Sequence, residues 1–106
     1  MFVSMQQVKI GFTNYVEQEV ARQASGKEKF LYYLALPRVG NLAEGFINSF
    51  KDNPMAKDLF DENGNMDLDK LFNEATDAIR KSGKFAMLGI WVSEDTLKTI
   101  YGYISR

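Results

Sequence analysis

The sequence has 106 residues, 45% of them hydrophobic and 25% charged, and its 13 basic and 14 acidic side chains leave a net charge of −1. The absence of Cys and His excludes disulfides, thiolate metal sites, a Cys nucleophile and a Ser-His-Asp triad. The length fits one domain over residues 1–106, and the near-neutral charge argues against non-specific binding to nucleic acid.

The first residues do not resemble a signal peptide, because Met1–Met5 lacks a basic region and a long apolar stretch. The longest apolar run in the chain, Phe85–Val92, has eight residues, whereas a membrane span needs about 20. We therefore expect a cytoplasmic protein without a membrane partner. Either Met1 or Met5 is the native start, and residues 1–5 are a candidate disordered extension.

The first predicted helix covers residues 6–25. Its apolar side chains recur at helical spacing and form one stripe: Val8, Phe12, Tyr15, Val16 and Val20. Ile10 lies off this stripe and leaves room for a second contact face. Gly11 weakens the helix by about 1 kcal/mol relative to alanine, and Gly26 is predicted to follow its C-terminal end.

Phe30–Leu36 consists of seven consecutive apolar or aromatic residues. The surrounding helix formers favour a helix, and a helix that is apolar on all sides must be covered on more than one side. Two interpretations stay open: a central core helix, or a helix shared with a partner subunit. Pro37 disfavours helical geometry at Leu36, so the helix is expected to end or kink there.

A second stripe after Pro37 predicts an amphipathic helix, formed by Val39, Leu42, Phe46, Ile47 and Phe50. A short turn over residues 55–60 follows, with Asn53 as its cap and Pro54 at its first position. Asn63-Gly64 then marks a tight turn.

A further helix is predicted with Asp67 as its N-cap and Gly83 after its end. Its stripe comprises Leu68, Leu71, Phe72, Ala75 and Ile79. We interpret Phe85–Val92 as one strand with a bulge at Gly89, paired either with residues 65–67 or with another subunit. Ser93 caps the last helix, whose stripe comprises Leu97, Ile100, Tyr101 and Ile104.

These elements predict a predominantly helical α+β fold. Four or five helices are expected to surround one core, with a small two-stranded β element in the C-terminal half.

The segment Asp61–Asp69 is the strongest candidate for a cation site, because its carboxylate and amide side chains alternate as in a calcium loop. Counted from Asp61, however, Met66 stands where the loop needs glycine, and Phe72 where it needs the bidentate glutamate. An alignment with one residue deleted places Lys70 at that last position instead. An Asn-Gly turn leading into a capped helix therefore explains the segment better, and no metal ligand set is predicted.

The basic cluster Arg80–Lys84 is explained by the favourable interaction of cations with a helix C-terminus. A helix-turn-helix interpretation would need a second helix three or four residues later, where the β-prone Phe85–Val92 stands. No pair of acidic residues or glycine-rich loop indicates catalysis. We predict no catalytic residue and no cofactor, and nucleic acid is not an expected partner.

The C-terminal half resembles a known group of sequences. The turn Asp61–Asn65, the helix start Asp67–Phe72, the strand end Leu88–Val92 and the closing segment Asp95–Ile104 are similar to short uncharacterised proteins encoded in phages and prophages of Gram-positive bacteria. The resemblance covers about residues 60–104. It implies a cytoplasmic or virion-associated protein, in the host cell if phage-encoded, and not an enzyme.

The sequence thus favours a small, non-enzymatic interaction or assembly protein that associates with itself or with another protein. The candidate interface residues are apolar side chains in excess of one core: Ile10, Phe30, Tyr32, Tyr33, Leu36 and Trp91. One alternative is a small-ligand or metal-binding module that uses Asp61–Asp69. Another alternative is a regulatory nucleic-acid-binding protein.

Overall fold

The structure, a computed structural model, describes residues 1–51, 54–83, 85–87 and 90–106, with the backbone alone at positions 55, 57, 85–87, 90 and 91. Most of this chain is in four α-helices: α1 (Met5–Tyr15), α2 (Gly26–Lys51), α3 (Leu68–Ser82) and α4 (Glu94–Ser105). A π-helical segment, Val16–Ala21, continues α1, and a 3-10 helix, Pro54–Leu59, follows α2. The prediction of a mainly helical α+β fold is confirmed.

Two small antiparallel sheets accompany the helices. The strand β1 (Phe2–Val3) pairs with β2 (Met66–Asp67), and β3 (Phe85–Met87) pairs with β4 (Ile90–Val92). The prediction of one strand over Phe85–Val92 with a partner elsewhere is therefore wrong. The segment folds back and satisfies backbone groups with its own second half. Gly89, the predicted bulge, lies outside the described residues.

The N-terminal strand contributes to the core. Val3 is buried, and the Leu68 N–H donates a hydrogen bond to the Met1 carbonyl at 2.8 Å, which ties β1 to the start of α3. Residues 1–5, a candidate disordered extension from the sequence, therefore include a strand that supplies a core side chain. A two-residue strand is too short to show a period of its own.

The core forms where α1 packs against α2 and α4, and where α3 packs against α4. The predicted stripes of α1, α3 and α4 provide most of its side chains: Val8, Phe12, Leu68, Leu71, Phe72, Ala75, Leu97, Ile100 and Ile104 are all buried. In these three helices the polar residues of the sequence lie on the opposite side. The hydrophobic period was therefore sufficient to predict their orientation.

The ends of the C-terminal helices also agree with the sequence. The Asp67 carboxylate accepts a hydrogen bond from the Lys70 N–H, and the Ser93 hydroxyl accepts one from the Thr96 N–H, both at 3.2 Å. Gly83 ends α3 with φ +79, a left-handed conformation that favours glycine. These local contacts fix where α3 and α4 begin and where α3 ends.

Helix α1 lies very close to α4 at Gly11. A Cβ atom at this position would lie 2.6 Å from the Ile104 Cα atom and 2.8 Å from its Cγ1 atom. Beside this contact, the Gln7 side-chain amide donates to the Ile104 carbonyl at 2.9 Å. Gly11 is therefore required for helix packing, whereas the sequence alone presented it as a weak point of α1.

Helix α2 continues through Pro37, so of the two outcomes expected at Leu36, an end or a kink, the helix end does not occur. A proline inside a helix removes one backbone hydrogen bond, but Leu36 before it and Val39 after it both contact the body of the protein.

The predicted stripe after Pro37 is also corrected. Ala43 is buried and Leu42 is exposed, because Val39, Ala43 and Ile47 are the residues that face the core.

The molecule is more extended than its mass predicts. Its accessible surface is 6766 Å², whereas a folded chain of this mass is expected to expose about 6,000 Å². Its radius of gyration is 14.0 Å, against about 13 Å for a typical domain of this length. The extra surface indicates that part of the chain projects from the core.

Candidate interaction surface

The projecting part is the first half of α2, residues Gly26–Arg38, which we call the α2 tip. Every residue of the tip is exposed except Leu36, which is half-buried. The π-helical segment Val16–Ala21 runs beside α2 but does not cover these side chains. By contrast, Val39, Ala43 and Ile47 in the second half of the helix are buried.

The exposed side chains of the tip are large and apolar. Their exposed fractions lie between 39% and 65% for the five residues Phe30, Leu31, Tyr32, Tyr33 and Leu34. The interpretation of Phe30–Leu36 as a central core helix is therefore wrong for this chain. The elements that pack against α2 are too small to surround a helix that is apolar on every side. The first half of α2 therefore extends beyond them.

The apolar residues of the tip point in all directions around the helix. At roughly 100° per residue, Tyr32 continues the line of Val39 and Ala43 that faces the core further along. Phe30 and Leu34 lie on the opposite side of the helix. Leu31 lies on a third side, in line with Leu42, which is 61% exposed. A partner could therefore contact the tip along more than one line.

Two of the predicted interface residues meet beside the tip. Ile10 of α1 is exposed, and it lines a shallow groove of about 420 Å³ together with Leu36 and Pro37 of α2. The second contact face expected at Ile10 is thus continuous with the base of the tip. The remaining candidate, Trp91, belongs to β4, where its backbone pairs with Ala86, and its side chain lies outside the described residues.

Sequence reasoning missed three exposed leucines, Leu31, Leu34 and Leu42. The sequence places Leu31 and Leu34 in the apolar run without marking them as interface residues, and its hydrophobic spacing puts Leu42 in the core stripe. A signal was present in the sequence, because Ala43 is also at core spacing from Val39 and Ile47. Because leucine is more hydrophobic than alanine, the hydrophobic pattern favours Leu42 over Ala43 as the core residue.

The acidic loop Asp61–Asp69 uses its carboxylates within the chain. Asp61 Oδ1 accepts hydrogen bonds from the N–H groups of Asn63 and Asn65, both at 2.9 Å. Asp67 caps α3, as described above. Among the residues that the structure describes, no group of three or more acidic side chains is placed to hold a metal ion. The alternative of a metal-binding module at this loop therefore gains no support from the arrangement of these side chains.

Asp69 is bonded to two donors from distant parts of the chain. The Met1 amino group donates to its Oδ2 atom at 2.6 Å, and the Tyr101 hydroxyl donates to its Oδ1 atom. These hydrogen bonds, that of Met1 first, hold the pKa of Asp69 below its ordinary value. In return, Asp69 raises the pKa of the Met1 amino group and of the Tyr101 hydroxyl. Asp69 thus links β1 to α3 and α4.

We expect Tyr101→Phe to raise the pKa of Asp69, measured by NMR titration of the carboxyl carbon, because one of its two donors is lost. A carboxyl group whose pKa is lower in the folded state stabilises the fold above its unfolded-state pKa. That contribution is lost as the pH falls through the folded-state pKa, so the variant loses less stability than the wild type on acidification.

The matched control is Tyr103→Phe, since the Tyr103 hydroxyl donates to Glu19 at 2.8 Å and not to Asp69. This variant should leave the Asp69 pKa where it is in the wild type. An Asp69 pKa that does not move in Tyr101→Phe would show that the hydrogen bond between these two side chains is absent in solution.

One residue of the basic cluster at the end of α3, Arg80, forms an ion pair with α4. Arg80 donates to a Glu94 carboxylate oxygen at 2.6 Å, and this contact raises the pKa of Arg80 and lowers that of Glu94. The strand β3, and not a second helix, follows α3. The helix-turn-helix interpretation therefore gains no support from the arrangement of these elements.

In the described part of the chain, no helix is both long enough and apolar enough to cross a membrane. Comparisons with other proteins give no family to which the chain can be assigned: no family model, curated protein or solved structure matches it.

Proposed function

We propose that this protein is a non-enzymatic interaction or assembly protein that associates with itself through the α2 tip. The observation that carries the proposal is that the apolar residues 30–36 surround the helix, and that the rest of the described chain leaves five of them 39% to 65% exposed. A helix with this composition is favourable in water only when another surface covers it.

The exposed apolar area is of the right size for a protein interface. At the fractions observed, side chains such as Phe30, Leu31 and Leu34 each expose on the order of 100 to 150 Å². Summed over all sides of the helix, the six large residues of α2 that are exposed in this way approach the ~800 Å² that each partner contributes to a standard interface. They are Phe30, Leu31, Tyr32, Tyr33, Leu34 and Leu42.

The surroundings of the tip also suit a protein partner. Lys27, Glu28, Lys29 and Arg38 are exposed at its two ends, so charges of both signs flank the apolar residues. These charges are three cations and one anion, and the large apolar side chains between them are of the kind that protein interfaces bury. A role in phage assembly, in the virion or in the host cytoplasm, remains a prediction from the resemblance of residues 60–104.

Sedimentation velocity at increasing protein concentration tests the proposal. We expect the wild-type chain to form dimers or larger oligomers. The variant Leu31→Asp should sediment as a monomer with an unchanged circular dichroism spectrum, because it places a charge among the exposed apolar residues of the tip. The control Asn48→Asp introduces the same charge at an exposed position outside the tip and should behave as the wild type.

A wild-type chain that stays monomeric at every concentration would overturn self-association. Equal oligomerisation of Leu31→Asp and the wild type would show that the chains associate through another surface.

A further inference from the structure

We propose that two copies of the chain pair their α2 helices in antiparallel orientation, along an exposed stripe that extends beyond the tip. The stripe, called here the outer stripe, consists of Glu28, Leu31, Ala35, Arg38, Leu42 and Gly45. This inference rests on the self-association proposed above and specifies its geometry.

The spacing of the outer stripe is that of a coiled-coil seam. Its positions follow one another at alternating intervals of three and four residues, as the a and d positions of a heptad do. All of them are exposed. The residues that face the core, Val39, Ala43 and Ile47, lie on a different side of the helix, so a second copy can cover the stripe without any change to the core.

The stripe is complementary to itself in only some registers. In an antiparallel pair, each a position meets a d position of the other helix. The register that covers the whole stripe places Leu31 against Leu42 of the partner subunit, and the two-fold axis repeats this contact. The same register places Ala35 against Arg38 of the partner subunit, so that a small side chain faces a long one.

Competing arrangements are less favourable on charge and packing. A parallel pair in register would place Arg38 against Arg38 of the partner subunit, and like charges in contact repel. Glu28 would likewise face its own copy. An antiparallel register shifted by one heptad would place Leu31 against Ala35 of the partner subunit in one direction, or Leu42 against Arg38 of the partner subunit in the other, and would shorten the overlap. Among these antiparallel registers, the one that covers the whole stripe brings together its two leucines, Leu31 and Leu42, which are each 61% exposed.

The chain has no Cys, so disulfide cross-linking between single-cysteine variants tests this geometry on a clean background. We expect a mixture of Leu31→Cys and Leu42→Cys chains to form a covalent heterodimer on mild oxidation. Each variant alone should not cross-link efficiently, because equivalent positions are about 16 Å apart along the paired helices. A disulfide requires Cα atoms within about 7 Å. Asn48→Cys, exposed on another side of α2, is the control without a cross-link.

Each cysteine variant removes one leucine from the stripe and so weakens the dimer that it is meant to report. A second measurement therefore uses a variant that keeps both leucines. Arg38→Leu replaces a charge in the stripe with an apolar side chain, and we expect it to lower the dimer dissociation constant by at least tenfold in sedimentation. Asn48→Leu adds the same side chain outside the stripe and should not change it.

The outcomes separate this inference from the proposed function. Cross-linking of each single variant with itself, or a dimer that neither cross-links in the mixture nor tightens with Arg38→Leu, overturns the antiparallel stripe while self-association stands. A strictly monomeric wild type overturns both.

Discussion

The variant Gly11→Ala is expected to lower the free energy of unfolding, although alanine is the better helix former by about 1 kcal/mol. The new methyl carbon would lie 2.6 Å from the Ile104 Cα atom and 3.0 Å from its backbone nitrogen. Backbone atoms cannot rotate away as a side chain does, so α4 must move away from α1. Overpacking of this kind typically costs 1 to 3 kcal/mol, and we expect a net loss in roughly that range.

The control for this prediction is Gly102→Ala in α4. A Cβ atom at Gly102 has no neighbour within 4 Å, so only helix propensity acts. This variant should be neutral or stabilised by up to about 1 kcal/mol. Urea unfolding followed by circular dichroism measures both. Equal stabilisation of the two variants would show that α1 and α4 do not approach as closely as the structure indicates.

Gly11 also illustrates what local sequence cannot show. Its effect on helix propensity follows from the residue alone, whereas its contact with Ile104 depends on a helix more than ninety positions away. The pairing of β1 with β2 is hidden for the same reason, because neither two-residue strand carries a pattern. Contacts between distant short segments are fixed by the whole fold, so the sequence around either segment shows no pattern that predicts them.

The features that could be predicted are those with a local physical cause. The caps Asp67 and Ser93 act on N–H groups three residues away, and the stripes of α1, α3 and α4 oppose a polar face. In α2 this contrast is missing before Pro37, since apolar residues surround the helix. The sequence could therefore identify an excess of apolar side chains, but not which of them the body of the protein would leave exposed.

The two halves of α2 are expected to respond in opposite ways to the same substitution. Ile47→Asp should unfold the protein, because Ile47 is only 3% exposed and belongs to the core cluster. Burying an unpaired carboxylate there would cost several kcal/mol, which is comparable with the whole stability of about 5 to 15 kcal/mol of a typical domain. Thermal unfolding by circular dichroism should show no cooperative transition.

Leu31→Asp supplies the matched comparison, since Leu31 lies on the same helix but is 61% exposed. Substitutions at exposed positions usually change stability by no more than about 0.5 kcal/mol. Measured where the wild type is also monomeric, the midpoint of Leu31→Asp should therefore stay close to that of the wild type. At higher concentration only the wild type gains stability, since association favours the folded state. Unfolding of both variants alike would mean that the tip is folded into the core, and would remove the basis of the proposed interface.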